Sequence, residues 1–136
     1  PQFKEELYRW ISEFDKKSAW YQANQSDEAF VANSVKLREQ TLRNYILQQH
    51  QTAQNSRASY SRQTANEGYK LYFQQFADSP NAADMHFFYG ELLYDIGKYD
   101  EASTEYSWVV ENAPESKFAS KSSQNILLSI DRTLIN

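Results

Sequence analysis

The stretch Gly90-Glu91-Leu92-Leu93-Tyr94-Asp95-Ile96-Gly97-Lys98-Tyr99-Asp100-Glu101-Ala102 decides how this chain folds. It lies between Pro80 and Pro114, thirty-four residues apart, and reads as one helix, a tight turn and the start of a second helix. Small residues at Gly90 and Ala102 let the two helices of a hairpin approach closely. Gly97 supplies the left-handed residue that stops the first helix. Tyr99 stands just past the turn, Leu93 and Tyr106 are large residues available for packing, and Pro114 ends the unit. The spacing predicts a first helix over residues 81–96, with Ser79 as cap and Pro80 in its first turn, and a second over 99–112.

Working outward, the same period registers on both sides. Thirty-four residues before Tyr106 stands Tyr72, and before Ala102 stands Gly68. Thirty-four after Leu93 stands Leu127, and after Leu92 stands Ile126. Tyr69, Tyr72, Phe73 and Phe76 make an aromatic face for a helix over 65–78. A last helix over 116–134 carries Phe118, Ile126, Leu127, Ile130 and Leu134. Upstream, Phe3, Leu7, Trp10, Ile11, Phe14 and Tyr21 recur at helical spacing over 2–22, with Lys4, Glu5, Glu13, Lys16 and Lys17 largely off that stripe. A connection follows at 24–26, with Ser26 as N-cap of a second helix starting near Asp27 and striped by Val31, Val35, Leu42, Tyr45 and Ile46. Residues 48–66 turn polar without a Gly or Pro, and a break is expected at 61–64.

The run from Gly90 to Ala102, with Tyr106 and Pro114, resembles the heart of a tetratricopeptide repeat (TPR). Its flavour is similar to TPR domains of bacterial envelope proteins, of the Tol–Pal accessory and outer-membrane assembly lipoprotein type. The resemblance covers residues 65–134 and is strong only over 81–114. It departs over 49–62, where Thr52, Asn55, Ser56 and Ser59 occupy packing positions, and at Gln124, which stands where Gly90 stood. Residues 1–46 carry no such signature. The expectation is therefore an all-α protein. Antiparallel helical hairpins would form a short right-handed solenoid over 65–136, and residues 1–64 an atypical helical part. The other reading of 81–114 is an unrelated helical hairpin.

The resemblance implies a partner-binding groove on the first helices of the repeats. Carried over position by position, it comprises Asp84, Phe87, Glu91, Tyr94 and Asp95, then Phe118, Lys121, Asn125, Leu128 and Ser129. Carboxylates interleaved with aromatics favour a basic or aromatic protein segment. A solvated acidic face with two packed aromatics is the plainer reading of the same residues.

Composition narrows the function classes. With 136 residues, 40% hydrophobic and 15% aromatic, the chain can build one domain's core. Three Gly and three Pro leave long helices easy and multi-turn β architectures hard. A net charge of −4 with scattered Lys and Arg argues against nucleic acid. No apolar run nears the roughly twenty residues that span a bilayer. The absence of cysteine removes disulfides, thiolate catalysis and Cys-based zinc sites. The chain starts at Pro1, as a processed or excised segment would. Frequent Gln, Asn, Ser and Tyr favour the periplasm or cell envelope over the cytoplasm.

No catalytic constellation is legible. His86, among Met85, Phe87 and Phe88, reads as a helix-interface residue, and no metal or other cofactor is expected. Asp100 and Glu101 are explained by a helix N-terminus. Trp10 and Trp20 read as core or interface, whereas Trp108 marks a place where a further helix or partner docks. The sequence reading is thus a non-catalytic interaction or scaffold module. Its alternatives are a structural subunit that self-associates or docks into an envelope, polarity or motility complex through its N-terminal helices, and an enzyme or small-ligand receptor. The last helix is expected to expose an apolar stripe, which predicts neighbouring repeats or self-association.

Overall fold

Apolar residues at helical spacing, with almost no Gly or Pro between them, make a chain of helices. The computed structural model describes residues 2–13, 19–24 and 26–135. Among these it holds seven helices and no strand: α1 (Gln2–Ser12), α2 (Ala19–Asn24), α3 (Glu28–Ser56), α4 (Ser59–Gln75), α5 (Ala82–Asp95), α6 (Tyr99–Asn112) and α7 (Ala119–Ile135). The fold is all-α. It divides into two compact units, Pro1–Ala77 and Asp78–Asn136, so α4 belongs with the N-terminal helices.

In the first unit α3 and α4 pack as a hairpin, α1 lies on both, and α2 lies on α3. The helix expected over 2–22 is divided: α1 ends at Ser12 and α2 begins at Ala19. Phe14, Lys16 and Lys17 lie outside the described residues, as do Gln25 of the expected connection and the Trp20 side chain. Asp27, not Ser26, caps α3, because its carboxylate accepts the Phe30 N–H at 3.0 Å. α3 buries Leu42, Ile46, His50 and Ala53 along one stripe. α4 answers with Ser61, Thr64, Ala65 and Gly68, small residues that let the helices close together, followed by Tyr69 and Tyr72. A Cβ on Gly68 would lie 2.7 Å from Ile46 and 2.6 Å from the Tyr8 hydroxyl. That hydroxyl donates to the Thr64 carbonyl at 2.8 Å. The polar run 48–66 thus packs through small side chains rather than large ones.

The break in that run falls at Arg57–Ala58, earlier than the sequence suggested. Arg57 adopts φ 54, a left-handed conformation that a non-glycine residue takes at some cost. Local bonds hold it: its N–H donates to the Ala53 carbonyl at 2.8 Å, and the Arg62 guanidinium donates to the Arg57 carbonyl at 2.9 Å.

In the second unit α6 packs on both α5 and α7. The α5–α6 turn follows the expected chemistry. Gly97 has φ +84, its N–H donates to the Tyr94 carbonyl at 3.0 Å, and the Lys98 N–H donates to the Leu93 carbonyl at 2.8 Å. This pair of bonds is a Schellman closure. α5 starts at Ala82, two residues after Pro80, and the Ser79 hydroxyl accepts the Asn81 N–H at 3.0 Å rather than capping the helix itself. A Cβ on Gly97 meets nothing within 4 Å. Gly97→Ala therefore carries only the backbone cost, and we expect a loss of about 1–2 kcal/mol in urea unfolding. An unchanged midpoint would mean that the left-handed turn is not needed.

Candidate functional site

The second unit is knit by Tyr106. Its ring lies against Gly90, where an added Cβ would stand 2.7 Å from Cε1. Its ring centroid is 5.8 Å from that of Phe87, and its hydroxyl donates to Glu91 Oε1 at 2.9 Å. The same oxygen accepts from Asn125 Nδ2 on α7 at 3.0 Å. Glu91 and Asn125 are thirty-four residues apart, so positions related by the sequence period meet in space. Phe87 stacks on Phe118 with centroids 4.2 Å apart and planes 6° from parallel. At the far end of the hairpin His86 stacks on Trp108 at 3.9 Å, with Nδ1 2.6 Å from Glu105. Tyr94 meets Tyr99 edge to face beside the turn. The pairs 94–99, 90–106 and 86–108 show that α5 and α6 run antiparallel.

These contacts place the residues of the expected groove. Phe87 and Asn125 are buried, and Glu91 is half-buried with both donors on one oxygen. Asp84 and Tyr94 are half-buried, while Asp95 and Lys121 are exposed. The structure brings Glu91, Asn125 and Tyr106 together, and Phe87 with Phe118, as an internal seam. Of the packing residues, Gly90, Leu93, Ala102 and Tyr106 are buried, Tyr99 is half-buried, and Gly97 and Pro114 lie exposed at the turns. Trp108 is half-buried under His86.

The last helix exposes an apolar stripe, as the sequence reading expected; what that reading did not name is the face α7 turns inward. Its inward face is polar: Ser122, Asn125 and Ser129 are buried, with the Ser129 hydroxyl bonded to the Asn125 carbonyl at 2.8 Å. Its apolar residues point out. Leu127 is 66% exposed, Leu128 51%, Ile130 46%, Leu134 79% and Ile135 76%. Ile130 and Leu134 join Asp100, Ser103 and Thr133 of the α6–α7 seam around an open cleft of about 260 Å³. A second shallow cleft, lined by Gly97, Lys98, Tyr99, Asp100, Glu101 and Thr133, adjoins it. The signal was present in the sequence as two stripes, Ser122–Asn125–Ser129 and Leu127–Ile130–Leu134, each at helical spacing.

Burial also fixes protonation. It pushes the Tyr106 hydroxyl well above the ordinary phenol range, reinforced by the Glu91 carboxylate. Burial raises Tyr89 to about 12, and raises Tyr8 in the first unit further. Each of these groups is held neutral in the fold, whereas an unfolded tyrosine ionises near pH 10. Their contribution to stability is complete below about pH 10 and is lost as pH rises through the folded values. We expect alkaline unfolding above about pH 10, with tyrosinate absorbance and helical circular dichroism changing together. Tyrosinate forming near pH 10 with helicity retained would contradict it.

Among the described residues no group of three or more His, Cys, Asp or Glu is placed to hold a metal ion, and no helix is long and apolar enough to cross a membrane. No protein-family model matches the chain, and no curated protein or solved structure is detectably similar to it.

Proposed function

We propose that this chain is a non-catalytic protein-interaction module. It is assembled from helical hairpins in a TPR-like arrangement, and it docks its partner on the outward face of α7. One observation carries this reading: α7 buries serine and asparagine and presents leucine and isoleucine to solvent. A contiguous apolar face on a helix is an interaction surface by default. In the groove on the first helices, the aromatic anchor Phe87 is stacked on Phe118, and Glu91 and Asn125 bond to one another. Apolar anchoring therefore comes from α7, while exposed Asp95 and Lys121 remain for polar contacts along the unit. The partner is another protein. The envelope setting suggested by the resemblance is part of this proposal.

A structural role through the N-terminal helices is the second reading. It is favoured by the exposure of Phe3 on α1 and of Phe30 and Leu37 on α3. Affinity capture from the source organism's lysate separates the two. Native bait and a Leu127→Asp/Leu134→Asp variant would be compared by mass spectrometry. Loss of the captured protein on the variant is expected. A partner retained by both baits would move the contact off α7.

A further inference from the structure

We infer that α1 is the in-chain occupant of a helix-docking groove on the α3–α4 hairpin. In its place the groove takes a partner helix carrying lysine, leucine, tyrosine and isoleucine at positions i, i+3, i+4 and i+7. The groove belongs wholly to the first unit, so it stands apart from the reading of α7 as a docking surface.

α1 meets the hairpin through one stripe. Lys4, Leu7, Tyr8 and Ile11 turn inward at that spacing, while Glu5, Glu6 and Arg9 are exposed. The hairpin recognises the head, the middle and the tail of the stripe separately. At the head, Lys4 Nζ lies 2.5 Å from Glu67 Oε2, with the ring centroids of Tyr8 and Tyr60 at 5.8 and 5.9 Å. The bond to Glu67 raises the Lys4 ammonium above its ordinary value and lowers the Glu67 carboxyl, so both are charged at neutral pH. In the middle, the Tyr8 hydroxyl donates to the Thr64 carbonyl at 2.8 Å. It reaches that carbonyl because Gly68, one turn further along α4, has no side chain to block it. At the tail, the Arg38 guanidinium donates to the Trp10 carbonyl and lies 4.4 Å from the Trp10 ring centroid. Leu7 and Ile11 are buried between these points.

The hairpin is tied by its own bonds. The Tyr72 hydroxyl donates to Glu39, and His50 meets the Tyr69 hydroxyl, each at 2.6 Å and none of the four on α1. α1, by contrast, has eleven residues, short of the roughly 12–15 at which a helix begins to hold in water by itself. It is helical because it is docked. The docked state also carries costs. Lysine, a residue type almost never buried unless paired, heads the inward stripe, and its ion pair selects for a lysine more than it stabilises. The Glu67 side chain is 42% exposed, so salt and water reach that pair. The Thr64 hydroxyl is fully buried and makes no hydrogen bond among the described residues. A short helix attached in this way is released as a unit while the hairpin stays folded. A second helix with the same stripe then competes for the same anchors.

The probe is a labelled peptide of residues 2–12, capped at both ends and titrated by fluorescence anisotropy with the full chain. It should bind a Leu7→Asp/Ile11→Asp chain, whose own α1 cannot dock, at least about tenfold more tightly than the native chain, where α1 holds the groove. Lys4→Glu in the peptide should weaken binding to that chain at least about tenfold, and adding Glu67→Lys to the chain should reverse the preference. On the native chain, the amides of α1 should exchange with deuterium faster than those in the middle of α3. Binding of the peptide to neither chain up to about 1 mM would overturn the inference. So would equal binding to both chains, or a Lys4→Glu peptide that binds as well as the native one. Protection of α1 equal to that of the middle of α3 would also overturn it, with no variant involved.

Discussion

Tyr106→Ala is expected to lower the stability of the chain by about 3–5 kcal/mol, the range for deleting a large buried aromatic. Tyr106 is 1% exposed, and it ties α6 to α5 directly and to α7 through Glu91. It covers Gly90, packs against Phe87 with the rings tilted, and holds the Glu91 carboxylate, which in turn holds Asn125 on α7. Because Gly90 has no side chain to swing into the space, the cavity cannot collapse from that side. Tyr106→Phe keeps the ring and removes only the donor to Glu91. Its cost should be about 1–3 kcal/mol, since Glu91 retains the Asn125 amide. Urea unfolding of the two variants separates packing from hydrogen bonding. A loss below about 1 kcal/mol for Tyr106→Ala would show that the ring does not organise the hairpin.

Glu39→Ala is expected to cost about 3 kcal/mol through a buried network in the first unit. Glu39 Oε2 accepts from the Tyr72 hydroxyl at 2.6 Å and from Arg43 Nε at 2.9 Å, tying the middle of α3 to α4. Removal takes the carboxylate acceptor from a phenol that is fully buried. Arg43 keeps partial access to water, with a side chain 27% exposed, so the Tyr72 bond carries most of the effect. Glu39→Ala combined with Tyr72→Phe should therefore be clearly less damaging than the two single losses added together, with coupling of about 1–3 kcal/mol. Strict additivity in denaturant unfolding would show that the two groups act separately.

The hairpin of α5 and α6 was legible because its signals are local. Gly97 specifies its own turn, and Gly90 and Ala102 specify a close approach whatever the partner helix is. The α3–α4 corner was not, because Arg57 adopts a left-handed conformation that no glycine announces and that neighbouring bonds stabilise. Polar residues 48–66 looked too poor in large side chains to pack. Ser61, Thr64, Ala65 and Gly68 pack by being small, a property that composition does not separate from surface polarity. The groove positions were read from a repeat pattern that fixes backbone register but not which side chains consume one another. Phe87 meets Phe118, and Glu91 meets Asn125, only because α7 lies where it does. Periodicity marked the apolar stripe of α7, expected to be exposed, but not the small polar stripe of Ser122, Asn125 and Ser129 that faces inward.

A helix held by Ser122, Asn125 and Ser129 is attached with little hydrophobic free energy, since what it buries is small and polar. Its amides should therefore exchange with solvent deuterium faster than those of α6, through opening events that leave the α5–α6 hairpin intact. A companion helix on the outer stripe would slow that exchange, so the order of the chain's last two turns becomes a readout of whether the face is occupied.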